Sequence, residues 1–164
     1  MTRRPGTPDP GLERADEVTL SLSTVRLDAA RLRQLLAFER ALRAQASPGC
    51  ASEALAAAHA AALAASGLQS GEVEAPLALL RRFAANRALS GRLREHLVKL
   101  EARGTIDGGA ADQAADVRRR LGELDQAMRA REDSATLAVL QAHEPEILSL
   151  FTANSASTGA PLSR

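Results

Sequence analysis

The sequence predicts an all-α protein: a single bundle of four or five helices, with an antiparallel hairpin between the third and fourth helices and disordered termini. The 164 residues include 35 alanines and 25 leucines, and both residue types favour helices. Trp and Tyr are absent and only three Phe occur, so the residues that build β-sandwiches and barrels are too scarce for either fold. This apolar content suffices for one modest core and not for two independent ones.

Composition divides the chain into a bundle domain over residues 18–151 and two tails. Residues 1–17 contain three Pro and two Gly with almost nothing apolar, and residues 152–164 are small and polar, so both ends are predicted to be disordered. Residues 18–23 alternate apolar and polar side chains as a strand does, but the sequence offers no second strand as a partner. We therefore expect an extended segment that lies against the helices.

Capping residues delimit the first two helices. Asp28 is a good N-cap for the first helix, with apolar residues on either side placed for a hydrophobic staple, and Pro48 follows its expected end. The second helix, over residues 51–66, is mostly alanine, and Gly67 stands where a left-handed C-cap is needed. Alanine gives this second helix a high helix propensity and little apolar surface to bury.

The third and fourth helices are predicted to pair as the hairpin. The third ends near Arg103 and begins at either Ser70 or Pro76, because proline favours the first turn of a helix and kinks one already under way. After a Gly-rich turn, the fourth helix has apolar residues at alternating spacings of four and three, which is a heptad pattern. This seam begins at Ala110 and Ala114, and its remaining members are the predicted interaction surface: Val117, Leu121, Leu124 and Met128.

A fifth helix is predicted from about Ser134 to Phe151. Its apolar residues recur at helical spacing, and Pro145 is expected to bend it.

Charge and cysteine content indicate an ordinary cytoplasmic protein. The chain has 21 basic and 20 acidic residues, so no overall field favours nucleic acid or an anionic membrane surface. All cations except Lys99 are arginine, which is typical of GC-rich coding and suggests a bacterial source. The sequence contains no hydrophobic signal segment and no run long enough to span a membrane. Cys50, the single cysteine, excludes an intramolecular disulfide and a cysteine-based zinc site.

Three histidines lie on apolar helix faces and could converge inside a bundle. His59, His96 and His143 come from three different predicted helices, and convergence of this kind builds haem and metal sites in helical proteins. None of the local spacings typical of such sites is present. We expect partly buried structural imidazoles and no cofactor, with a ligand, haem or metal sensor as an alternative.

A basic stripe follows the third helix. Arg81, Arg92, Lys99 and Arg103 fall within about 40° of one another at 100° per residue. The stripe could follow a phosphate backbone, or it could be a solvated face. The acidic segments 51–80 and 132–151 contain no Arg or Lys and offer partners within the chain. Nucleic-acid binding is therefore possible but not favoured, also because the apolar Phe residues provide no stacking platform.

Two stretches in the second half of the chain resemble sequences of known type. Residues 93–102 (LREHLVKLEA) and 140–148 (LQAHEPEIL) are similar to uncharacterised Ala/Arg-rich helical proteins and lipoproteins of GC-rich bacteria. The resemblance covers about the last third of the chain. It departs at the front, where a lipoprotein has a signal and a lipid-bearing cysteine, and it implies no site residues.

From these observations we expect a non-enzymatic protein-interaction or assembly module. Its partner would be another protein or a second copy of the chain, bound through the seam of the fourth helix. No acid/base pair, nucleophile elbow or phosphate loop appears in the sequence pattern.

Overall fold

A computed structural model describes residues 25–46, 51–103 and 108–152. This part of the chain contains α-helices, one short 3-10 helix and no strand, so the predicted all-α class is confirmed. The segment 18–24 and most of both predicted tails lie outside the described residues, whereas Thr152, assigned above to a tail, is the last residue of a helix. The elements are α1 (Ala29–Gln45), α2 (Ser52–Ser66), the 3-10 helix (Ser70–Glu72), α3 (Glu74–Arg103), α4 (Gly108–Arg131), α5 (Ser134–Ala142) and α6 (Glu144–Thr152).

The predicted caps of α1 and α2 are confirmed. The Asp28 carboxylate accepts a hydrogen bond from the Arg31 backbone N–H at 2.7 Å, which satisfies one of the free donors at the start of α1. Gly67 ends α2 with φ of 69°, and the Leu68 N–H then donates to the Leu63 carbonyl at 3.3 Å.

The start of α3 combines the two alternatives. Ser70 begins the separate 3-10 helix, and α3 itself starts at Glu74. Pro76 therefore lies in the first turn of α3, where its missing N–H needs no helical partner. The Leu77 N–H donates to the Val73 carbonyl at 3.0 Å at the start of the helix.

The prediction of one bent fifth helix is wrong, because this segment forms two helices, α5 and α6. His143 ends α5 with φ of −110° and ψ of 15°, outside helical geometry. Pro145 explains the break, since it has no N–H for the carbonyl four residues earlier and its ring clashes with that carbonyl. The Ile147 N–H donates to the His143 carbonyl at 3.1 Å and begins the new ladder. The described chain thus has six α-helices and not four or five.

Most helices pack around one main core. Helix α1 packs against α2, and α6 packs against α3. The first half of α3 also belongs to the main core, whose last buried α3 residue is Ala84. The large fully buried side chains of this core include Leu32, Leu35, Leu36, Phe38, Leu79, Leu80, Leu140 and Ile147.

Helices α3 and α4 form the predicted antiparallel hairpin. Leu100, near the end of α3, lies beside Ala110 and Ala114 at the start of α4. Phe83, in the first half of α3, lies beside Met128 near the end of α4. Residue numbers on α4 therefore decrease as the numbers of the neighbouring α3 residues increase, as they do in an antiparallel pair.

Candidate functional site

The heptad seam of α4 is mostly occupied within the chain. Val117 is buried with Ala114 and Leu100 in a second apolar cluster, and Leu121 packs against it. Leu93 and Leu97 of α3 cover this cluster from the other side of the hairpin. The seam residues are therefore not a continuous exposed strip. Helix α3 covers the surface that was predicted to bind a partner.

The last two seam residues lie elsewhere. Met128 is half-buried and packs against the main core. Leu124 is half-buried at the edge of the hairpin and lines an open groove. Of the predicted seam, Leu124 thus contributes most directly to a surface that a partner could reach.

The groove at Leu124 lies between the two helices of the hairpin. Its apolar wall is formed by Leu89 and Leu93 of α3 with Leu124 and Ala127 of α4. Leu89 is 41% exposed, which is unusual among the large apolar residues of the described chain. Arg120 and Glu123 line the polar side of the groove. The sequence pattern gives no signal for this site, because the groove exists only where α3 and α4 meet.

Residues 88–103 and 108–127 form a part of the hairpin that we call the distal hairpin. Its apolar cluster consists of α3 and α4 residues alone. The α3 portion is about 22 Å long at 1.5 Å per residue. It contains Val98, which is 65% exposed. The distal hairpin therefore adds a large surface that the main core does not cover.

The basic stripe divides into a paired end and an unpaired part. Arg81 lies 3.8 Å from the buried carboxylate of Glu39 on α1. Arg92, Lys99 and Arg103 are exposed, and no ion pair joins them to any residue in the described ranges. The three unpaired cations of the stripe all lie on the distal hairpin.

Other arginines are paired with acidic residues from the segments 51–80 and 132–151. These segments thus supply partners for four arginines, but none of the four stripe residues pairs with them in the described chain, so the expectation that they answer the stripe itself is not met. The pairs are Arg31 with Glu72, Arg40 with Glu146, Arg82 with Glu132 and Arg87 with Glu144.

The pair between Arg87 and Glu144 joins α3 to α6 and is largely shielded from water. The guanidinium nitrogen lies 2.6 Å from the carboxylate oxygen, and the two side chains are 19% and 24% exposed. The hydrogen bond with Glu144 raises the pKa of Arg87. In the same first turn of α6, the hydrogen bond from Arg40 lowers the pKa of Glu146, and His143 adds to this effect. These charges position α6 and are not free for a ligand.

The three histidines do not converge. The His59 ring contacts the edge of Phe38, with ring centroids 5.3 Å apart. His143 ends α5, with its Nδ1 3.4 Å from a carboxylate oxygen of Glu146. His96 is exposed on the distal hairpin, so the expectation of a partly buried imidazole is wrong for this residue. Within the described ranges, no group of three His, Cys, Asp or Glu residues is arranged to hold a metal ion. The sensor alternative therefore lacks the shared histidine site on which it depended.

A small cavity lies where the hairpin meets α5. Its volume is about 20 Å³, which is room for one water molecule. Asn86, Arg82 and Glu132 supply polar groups at its wall, and Phe83 and Leu140 supply apolar ones. The cavity is too small for a cofactor or an organic substrate.

Comparisons with protein-family models, curated proteins and solved structures found no match for this chain. Every helix in the described part is too short or too polar to cross a lipid bilayer. The resemblance to bacterial helical proteins and lipoproteins stays a prediction.

Proposed function

We propose that the protein is a non-enzymatic interaction module whose contact element is the distal hairpin. The observation that carries this proposal is the apolar groove of Leu89, Leu93, Leu124 and Ala127 on a part of the fold that lies outside the main core. Single exposed apolar residues are ordinary, but a cluster at the edge of a helix pair is typical of a binding surface. The partner in this proposal is another protein or a second copy of the chain.

Site-specific photocrosslinking in the cells that make the protein tests this proposal. A photoreactive phenylalanine analogue replaces Leu89 in one variant and Leu55 in another. Leu55 is a matched control, because it is 49% exposed but lies on α2. We expect a discrete adduct from position 89 and none from position 55. Absence of an adduct at position 89, or equal adducts at both positions, would refute the proposal.

A second candidate function is nucleic-acid binding through the unpaired cations of the stripe. The observation that favours it is that Arg92, Lys99 and Arg103 have no ion-pair partner among the described residues. Neutralising phosphates releases counterions, so the affinity for a DNA duplex should fall steeply as salt rises. This candidate would be excluded if the affinity for DNA did not depend on salt concentration, or if the double variant R92E/K99E bound DNA as tightly as the unmodified protein.

A further inference from the structure

The groove of the distal hairpin continues into a cationic strip. Leu89 is followed on α3 by Arg92, His96, Lys99 and Arg103, at successive spacings of three, four, three and four residues. At 100° per residue these five side chains fall within about 80° of one another. One face therefore carries an apolar site at its inner end and, towards the tip, three cationic side chains with His96 among them. We call this combined surface the docking face; it comprises the groove and the strip.

The strip is free to accept an acidic partner. Arg92, Lys99 and Arg103, with His96 among them, are exposed, and none has an ion pair within the ranges that the structure describes. They lie about 90° round α3 from Leu93, Leu97 and Leu100, which pack towards α4. Contact with the strip therefore requires no opening of the hairpin.

We propose that the docking face binds an acidic amphipathic helix of a partner protein, an inference that rests on the proposed function. A helix lying beside α3 rises by the same 1.5 Å per residue, so acidic residues three and four apart would match the strip over about 16 Å. Large aliphatic side chains at one end of that helix would fill the groove beside Leu89 and Leu124. The mode of recognition is a helix in a groove, with apolar anchors and charge complementarity.

Two other occupants fit this face less well. A nucleic acid would contact the strip through its phosphates but would leave the apolar groove unfilled. A second copy bound through the same face would set each strip against another strip or against a groove with one carboxylate, Glu123, and most of the cations would stay unpaired. The acidic helix alone uses both the groove and the strip.

Fluorescence anisotropy with the full chain and labelled probes tests the proposal. The main probe is an 18-residue alanine-based peptide with two leucines one turn apart at one end, followed on the same face by glutamates three and four residues apart. It is made in both sequence orders, because the docking face does not set the direction of the helix. The control probes replace the glutamates with lysine or the leucines with serine, and an 18-base-pair DNA duplex serves as the nucleic-acid probe.

The protein variants separate the two halves of the docking face. We expect R92E with K99E to weaken binding of the acidic peptide about tenfold or more, and L89S to weaken it by about threefold to tenfold. R129E is the matched control, since Arg129 is exposed and lies about 150° round α4 from the groove. Circular dichroism verifies that each variant is folded. Binding of the acidic peptide should also weaken as salt rises.

Four results would overturn the proposal. They are no binding of the acidic peptide in either order, equal binding of the lysine peptide, an equal effect of R129E, and tighter binding of the duplex. A crosslink from position 89 together with any of them would refute only the acidic helix. No crosslink at that position would refute the interaction module as well.

Discussion

Replacing Leu100 with alanine tests whether the distal hairpin is a separate unit of stability. Leu100 is 5% exposed and is the only leucine among the buried members of the second cluster, which it forms with Ala114 and Val117. Burial of this kind makes Leu-to-Ala substitutions cost about 2–5 kcal/mol. Since the cluster is small and has half-buried neighbours, we expect the lower part of that range, about 2–3 kcal/mol.

Native-state hydrogen exchange locates this loss. At about 1.4 kcal/mol per factor of ten, exchange through opening of the distal hairpin should rise between about 30-fold and 150-fold. Amides of α1 should change much less, because the main core contains no residue of the second cluster. Leu140→Ala is the control: Leu140 is fully buried in the main core, and its loss should reduce the free energy of global unfolding by about 3–5 kcal/mol. Uniformly faster exchange in α1 and α3 of the Leu100→Ala variant would refute the separation of the two cores.

Three further predictions concern the connections of the fold. Gly67→Ala should lower the free energy of unfolding by about 1 kcal/mol, because φ there is positive; the added methyl meets no other atom, so no clash adds to this cost. Gly71→Ala has no positive φ and should be neutral in the same denaturation assay. Arg87→Leu should cost about 1–3 kcal/mol by leaving the Glu144 carboxylate half-buried and unpaired, and adding Glu144→Leu should recover part of that loss. Hydrogen bonds at the start of α5 lower the pKa of Asp133 in the folded state, so their stabilisation is complete above about pH 4 and is lost as pH falls through the lowered pKa. Denaturation between about pH 2 and pH 4 should show this slope, and Asp133→Asn should flatten it.

The proposed docking face differs from the part of α3 nearer the main core in how its cations are paired. Nearer the main core, Arg82 and Arg87 are held by carboxylates of the segment 132–151. Towards the tip, Arg92, Lys99 and Arg103 have no such partner in the described chain. An overall charge of +1 therefore conceals a local cationic surface, which is where a charged partner would be attracted.

Most local signals in the sequence were interpreted correctly, and the exception is Pro145. Asp28 and Gly67 were assigned as caps, and both assignments are confirmed, because a cap is set by hydrogen bonds and backbone geometry within a few residues. The hairpin was also predicted, since heptad spacing on α4 required an apolar partner helix nearby in the chain. Pro145 was identified as a disturbance, but its effect was underestimated, because the helix ends at His143 and a new one begins.

Predictions that needed a spatial partner were less complete. The seam around Val117 and Leu121 was recognised as apolar, but periodicity does not say whether a neighbouring helix or another protein covers it. The sequence places all three histidines, His59, His96 and His143, at helical spacing from apolar residues. Whether they meet depends on where α2, α3 and α5 lie, and these helices do not bring them together. The groove at Leu89 had no signal of its own, since it exists only where two helices meet.

The amino-acid sequence alone was enough to establish the helical class, the main caps and the apolar faces, because these depend on propensities and contacts within one or two helical turns. The arrangement in space was needed to show which charges are neutralised. Arg40 and Glu146 are 106 residues apart in the chain, and Arg82 and Glu132 are 50 apart. Such pairs form only when packing of the main core brings their helices together, and the same packing leaves the cations of the distal hairpin exposed.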